Sequence, residues 1–97
     1  MTFQEWAEWQ PAKDRPAMKE RLAELVYING GRMAVGGWGV ITGGPGIYNR
    51  MGLEQEEALE LIFLHGVVEG YVRSGMATEQ QVIDLCKGIW RARGEEI

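Results

Sequence analysis

A chain of 97 residues with 45% hydrophobic and 25% charged side chains has room for one small hydrophobic core. We therefore predict a single domain over residues 1–97 and exclude the disordered and fibrous classes. The net charge of -4 and the pI of about 5.0 argue against binding to a nucleic-acid backbone as the main activity, whereas a basic protein partner is compatible with them.

The single cysteine, Cys86, excludes an internal disulfide and suits a reducing compartment. Cys86 and the single histidine provide too few ligands of their kind for a zinc-type cluster, so we predict neither a metal nor another cofactor. The first ten residues lack the basic and apolar regions of a secretory signal, and no apolar run approaches the ~18 residues of a membrane span. We expect a cytoplasmic protein that does not enter the membrane.

A short first helix is predicted from Phe3 to about Gln10. Thr2 and Glu5 have the spacing of a capping box, and Pro11 stops the helix. Aromatic rings recur at every third position, at Phe3, Trp6 and Trp9. The simplest interpretation is that they dock the helix onto the core, and the alternative is that part of this face binds a partner.

A second helix is predicted after Asp14, its expected N-cap, with Pro16 in the first turn. Its core stripe comprises Met18, Leu22, Leu25 and Val26. The helix should end near Ile28, with Asn29 or Gly30 in the left-handed conformation. A hairpin with an Asn29-Gly30 turn is the competing interpretation of the same stretch.

Residues 30–52 contain nine of the fourteen glycines, which disfavours a helix there. We predict a β-hairpin with a first strand from Arg32 to Thr42, a GGPG turn, and a return strand from Ile47 to Arg50. A nucleotide site is the weaker alternative. Neither GxxxxGK[ST] nor GxGxxG is present, and no helix start follows the GGPG sequence.

A long apolar helix is predicted over residues 53–74, and we expect the other elements to pack around it. Its apolar residues cover more than one stripe of the helix, which indicates several neighbours. Gly66 and Gly70 lie on one side, where we expect another backbone to approach closely. Ser74 and Gly75 should end the helix.

Acidic side chains cluster where this helix begins, at Glu54, Glu56, Glu57 and Glu60. The helix dipole explains carboxylates at such a position, at least the first three. The functional alternative is an acidic patch that imitates nucleic-acid phosphate or engages a basic partner.

His65 is the only histidine, and Glu69 follows it by one helical turn. A surface hydrogen bond is the usual role of such a pair, although acid–base chemistry is the sharper alternative. Ser74, the only serine, lies at a helix end, and Cys86 lies on an apolar stripe. We therefore predict that the protein is not an enzyme.

A last helix is predicted from Glu79 to about Arg93, with a capping box formed by Thr78 and Gln81. Its basic end complements the helix dipole, and a small basic patch for phosphate or an acidic partner is the alternative. Its apolar stripe comprises Val82, Leu85, Cys86, Ile89 and Trp90.

Taken together, these elements predict an α+β domain in which four helices, the first one short, carry a glycine-rich hairpin between helices two and three. For function, the preferred hypothesis is a non-catalytic protein-binding module, such as a small inhibitor or adaptor of a larger complex. Phage-encoded inhibitors of host defence complexes are one class of this kind. The predicted partner-binding residues are Trp38, Tyr48, Arg50, Arg32, Glu54 and Glu57. The alternatives are a homo-oligomeric assembly protein and, less favoured, a small-ligand binder at the glycine-rich segment.

Overall fold

The computed structural model describes residues 1–30 and 53–94. These residues form four helices, which we number α1 to α4 in chain order: Phe3–Glu8, Met18–Gly30, Gln55–Arg73 and Glu79–Ala92. The four predicted helices are therefore confirmed.

The α+β class is wrong for the part of the chain that the structure describes, since residues 1–30 and 53–94 contain helices and no strand. The predicted hairpin from Arg32 to Arg50 lies outside these residues. The competing hairpin with its turn at Asn29 is also wrong at its first strand, because α2 continues through Gly30. Asn29 is helical and fully buried, and no described non-glycine residue has a positive φ.

Helix α1 ends at Glu8, two residues earlier than predicted. Its capping box is confirmed: the Glu5 amide donates to Thr2 Oγ1 and the Thr2 amide donates to Glu5 Oε1, both at 3.1 Å. Phe3 and Trp6 are buried, whereas Trp9 is 48% exposed. Only two of the three predicted rings therefore dock α1, because the helix stops before its face reaches the third.

Helix α2 begins at Met18, so Pro16 precedes it and Asp14 is too distant to cap it. The Ala17 carbonyl instead accepts from the Glu20 and Arg21 amides, both at 3.0 Å. The predicted core stripe is confirmed: Leu22, Leu25 and Val26 are buried, and Met18 is partly buried against the core.

Helix α2, and not the long α3, is the centre of the bundle. It packs against each of the other three helices. Helix α3 buries only one side, through Ala58, Leu61, Leu64 and Val68. The prediction that the other elements surround α3 is therefore wrong, although the bounds of α3 agree with the predicted range to within two residues.

The predicted end of α3 and the predicted beginning of α4 are both confirmed by their caps. Gly75 has φ +78° and its amide donates to the Val72 carbonyl at 3.1 Å, while the Met76 amide donates to Tyr71 at 3.0 Å. Before α4, the Gln81 amide donates to Thr78 Oγ1 at 3.1 Å. Among the described helices, none is both long enough and apolar enough to cross a membrane.

Candidate protein-interaction surface

Large apolar side chains project from the side of α3 that faces away from α2. Leu59 is 60% exposed, Ile62 is 39% exposed and Phe63 is 68% exposed. Gly66 and Gly70 continue the same side at the next two turns and are exposed as well. We call these five residues the outer face of α3: Leu59, Ile62, Phe63, Gly66 and Gly70.

The outer face stands out because its apolar side chains are adjacent. Single exposed hydrophobic residues are ordinary on protein surfaces, whereas contiguous apolar patches mark interaction sites. Both carboxylates between Leu59 and Gly70 are paired with arginines: Glu60 is bound to Arg21 of α2, and Glu69 is bound to Arg73. The outer face thus carries no unpaired carboxylate over about three helical turns.

The two glycines of the outer face do not mark a close neighbour within the described part of the chain. A Cβ atom built on Gly66 or on Gly70 would meet nothing within 4 Å. The expectation that a helix or hairpin packs into this notch is thus not met by residues 1–30 or 53–94. The glycines instead leave an open, shallow region beside Phe63.

One of the carboxylates at the acidic beginning of α3 caps the helix itself. Glu57 Oε1 accepts the Glu54 amide at 3.1 Å, and the Glu57 side chain is half-buried. Glu54 itself is exposed. Of the six predicted partner-binding residues the structure therefore places two, and it gives Glu57 a structural role. The other four, Arg32, Trp38, Tyr48 and Arg50, lie outside the described residues.

A cluster of ion pairs joins α2 to α3 and α4. Arg21 donates to both carboxylate oxygens of Glu60, from Nε at 2.8 Å and from Nη2 at 2.6 Å. This contact holds the pKa of Glu60 below its usual range and raises that of Arg21. Glu24 lies 3.3 Å from Arg21 and 3.9 Å from Arg93. The cluster balances its own charges, so we assign it to helix packing.

His65 is half-buried on α3, with its Nε2 atom 3.8 Å from Glu69 Oε2. Burial lowers the pKa of His65, and the charge of Glu69 opposes that effect. Glu69 also accepts from Arg73 Nε at 3.1 Å. The lowered pKa favours the neutral imidazole, which lies beside the ion pair of Glu69 with Arg73.

Cys86 lies in the core, 1% exposed, and burial raises the pKa of its thiol to about 12. A protonated, inaccessible thiol is a poor nucleophile, which agrees with its predicted structural role. In the described ranges, no three His, Cys, Asp or Glu side chains are placed together to hold a metal ion.

Sequence reasoning missed the outer face because it assigned its residues to the core. Leu59, Ile62 and Phe63 have the same chemistry as the buried Leu61 and Leu64. The available signal was the circumference of the apolar pattern, which exceeds one stripe. Two explanations fit such a pattern, complete burial or a second interface, and the structure shows that one side of α3 is open within the described chain.

No protein-family model matches this chain, and comparison with curated proteins and with solved structures gives no match either.

Proposed function

We propose that this protein is a non-catalytic protein-binding module that uses the outer face of α3 to engage its partner. The observation that carries the proposal is the exposure of Leu59, Ile62 and Phe63 side by side on one rigid helix. A helix that presents apolar anchors at i, i+3 and i+4 has the pattern by which helices and grooves recognise each other. An inhibitor or adaptor of a larger complex, acting in the cytoplasm, is the form of this function that we favour.

Phe63 is the most exposed of the three anchors. Covering an exposed aromatic ring removes apolar surface from water, at about 25 cal/mol per Å². The backbone of Phe63 is fixed in the middle of a 19-residue helix, so little further ordering of the chain is needed on binding. Binding to such a face is stabilised by the anchors and not by the acidic beginning of α3, where Glu57 is already engaged.

Affinity capture from cells that naturally contain the protein tests the proposal. The bait is the unmodified chain, the Phe63→Asp variant or the Met76→Asp variant. Phe63→Asp places a charge in the centre of the outer face and should abolish capture of any specific partner. Met76→Asp is the matched control, because Met76 is also exposed, at 53%, but lies in the turn after α3. Equal capture by all three folded forms would refute binding through α3.

A photo-crosslinking residue at position 63 gives the same test without a charge change. Crosslinks to the partner from position 63, and none from position 76, are expected. The sequence-based prediction for Trp38, Tyr48 and Arg50 is tested in parallel with their triple alanine variant. If only the triple alanine variant loses the partner, the binding surface includes Trp38, Tyr48 or Arg50 and does not lie on α3.

A homo-oligomeric assembly protein is the second candidate, and one observation favours it. The outer face combines exposed large side chains with open glycines on the same helix, so one copy offers both the projections and the space that receives them.

A further inference from the structure

We propose that the outer face of α3 binds a second copy of this chain, with the two α3 helices packed antiparallel. The inference rests on the proposed function, because it names a partner for the same surface. Three properties of the outer face support it: its distribution of large and small residues, its charges, and its size.

The order of residues along α3 makes the outer face complementary to itself when it is reversed. If the two-fold axis passes level with the midpoint of residues 64 and 65, Phe63 of each copy comes level with Gly66 of the other. In the same register, Leu59 comes level with Gly70. Each large exposed side chain is thus matched with a glycine beside which a Cβ would meet nothing within 4 Å. Small residues opposite large ones let two helix backbones approach closely.

The charges at the two ends of α3 fit the same antiparallel register. Glu56, exposed in the first turn, comes level with Arg73 of the second copy, whose side chain is 80% exposed and binds Glu69 of its own chain through Nε. A parallel arrangement would instead bring the acidic helix starts together. Antiparallel packing also sets the positive end of one helix dipole beside the negative end of the other. The charges at the helix ends therefore favour the antiparallel orientation. Glu60 and Glu69, which also come level in this register, are each paired with an arginine of their own chain.

The size of the outer face sets the strength of the expected dimer. From Leu59 to Gly70 the strip is about 17 Å long at 1.5 Å per residue. One helix face of that length is smaller than the ~800 Å² per partner that stable interfaces bury. We therefore expect a weak dimer that forms in the micromolar range or above and exchanges readily with monomer.

Sedimentation velocity on the full chain, from about 5 µM to about 1 mM, tests the dimer. The weight-average sedimentation coefficient of the unmodified chain should rise toward the dimer value. Phe63→Asp should weaken association at least ~10-fold, and Leu59→Asp is a second variant at another exposed site. Met76→Asp should associate as the unmodified chain does. Circular dichroism verifies that each variant keeps its helices.

A charge exchange tests the orientation at low salt, at about 20 mM, where surface charges are least screened. Glu56→Arg alone and Arg73→Glu alone should each weaken the dimer about two- to fivefold. The double variant should recover, because each end of the pair again joins opposite charges. A dimer without this recovery would refute the antiparallel register.

The outcomes separate this inference from the proposed function. A chain that stays monomeric throughout the concentration range overturns the dimer, while partner capture sensitive to Phe63→Asp would still support a binding module. A dimer indifferent to Phe63→Asp also overturns the inference, since the contact would then lie elsewhere. If the chain stays monomeric and the thiol of a Phe63→Cys variant reacts slowly with a soluble thiol reagent, the dimer is overturned and the occupant of the outer face belongs to the same chain.

Discussion

The indole Nε1–H of Trp90 donates a hydrogen bond of 2.8 Å to the main-chain carbonyl of Ala23. The two residues are 67 positions apart in the chain, and both are fully buried. The Trp90 ring also lies against Tyr27, with ring centroids 5.7 Å apart. This contact fixes α4 to the central helix α2 at a defined height, because the indole has only one donor and must find its acceptor inside the core.

Replacing Trp90 by Phe should destabilise the fold by about 2 kcal/mol. The substitution removes a buried hydrogen bond and leaves space beside Tyr27 that the smaller ring does not fill. Urea unfolding followed by circular dichroism measures the change. Trp9→Phe is the matched control, because Trp9 is half-exposed, and its effect should stay within about 0.5 kcal/mol. Equal effects at the two positions would contradict the assigned role of Trp90.

Replacing Glu60 by Gln should lower stability by about 1 kcal/mol at neutral pH. The amide cannot accept the two charge-assisted hydrogen bonds that Arg21 donates from Nε and Nη2. Glu56→Gln, one turn earlier and exposed, should change stability by only a few tenths of a kcal/mol. The same denaturant titration compares them. A Glu60→Gln variant as stable as the unmodified chain would show that helix packing is independent of this contact.

Stability should fall as the pH drops from about 7.5 to about 5.5, and His65 should account for most of that fall. The pKa of His65 is lowered in the folded chain, so the unfolded chain binds the proton more readily. Its contribution to stability is present above its ordinary pKa of 6.5 and is lost as the pH falls below it. Glu5 and Glu60 also have lowered pKa values, but they start from 4.5 and act at lower pH.

The His65→Gln variant measures this contribution, because glutamine stays neutral across the range. Thermal unfolding of the two proteins at each pH should give a flatter dependence for the variant. Parallel curves would show that His65 titrates alike in the folded and unfolded chains.

Cys86 should be protected from thiol reagents in the folded protein and should react promptly in denaturant. Its burial and its pKa of about 12 leave almost no accessible thiolate at neutral pH. Since Cys86 is the only cysteine, the release of one chromophore per chain reports it directly. A native labelling rate close to the unfolded rate would mean that α4 opens readily from the core.

Local chemistry in the sequence determined where several helices begin and end. Thr2 with Glu5 and Thr78 with Gln81 form the predicted capping boxes, and Gly75 takes the predicted left-handed conformation. These features depend on residues three or four positions apart, so nearby amino acids suffice to specify them. The sequence also predicts the buried side of α4, because the apolar residues of that helix occupy one side only.

Tertiary structure alone decided which helix is central and which side of α3 is exposed. Leu61 and Phe63 are both large and apolar, and nothing near them in the chain says that one is buried and the other open. Their environments depend on α2, whose contacts lie some 30 to 40 positions away, as the bond between Arg21 and Glu60 illustrates. An apolar pattern that extends around a helix indicates that more than one side of the helix is apolar. Only the packed bundle shows which surface is covered by the described chain and which is exposed.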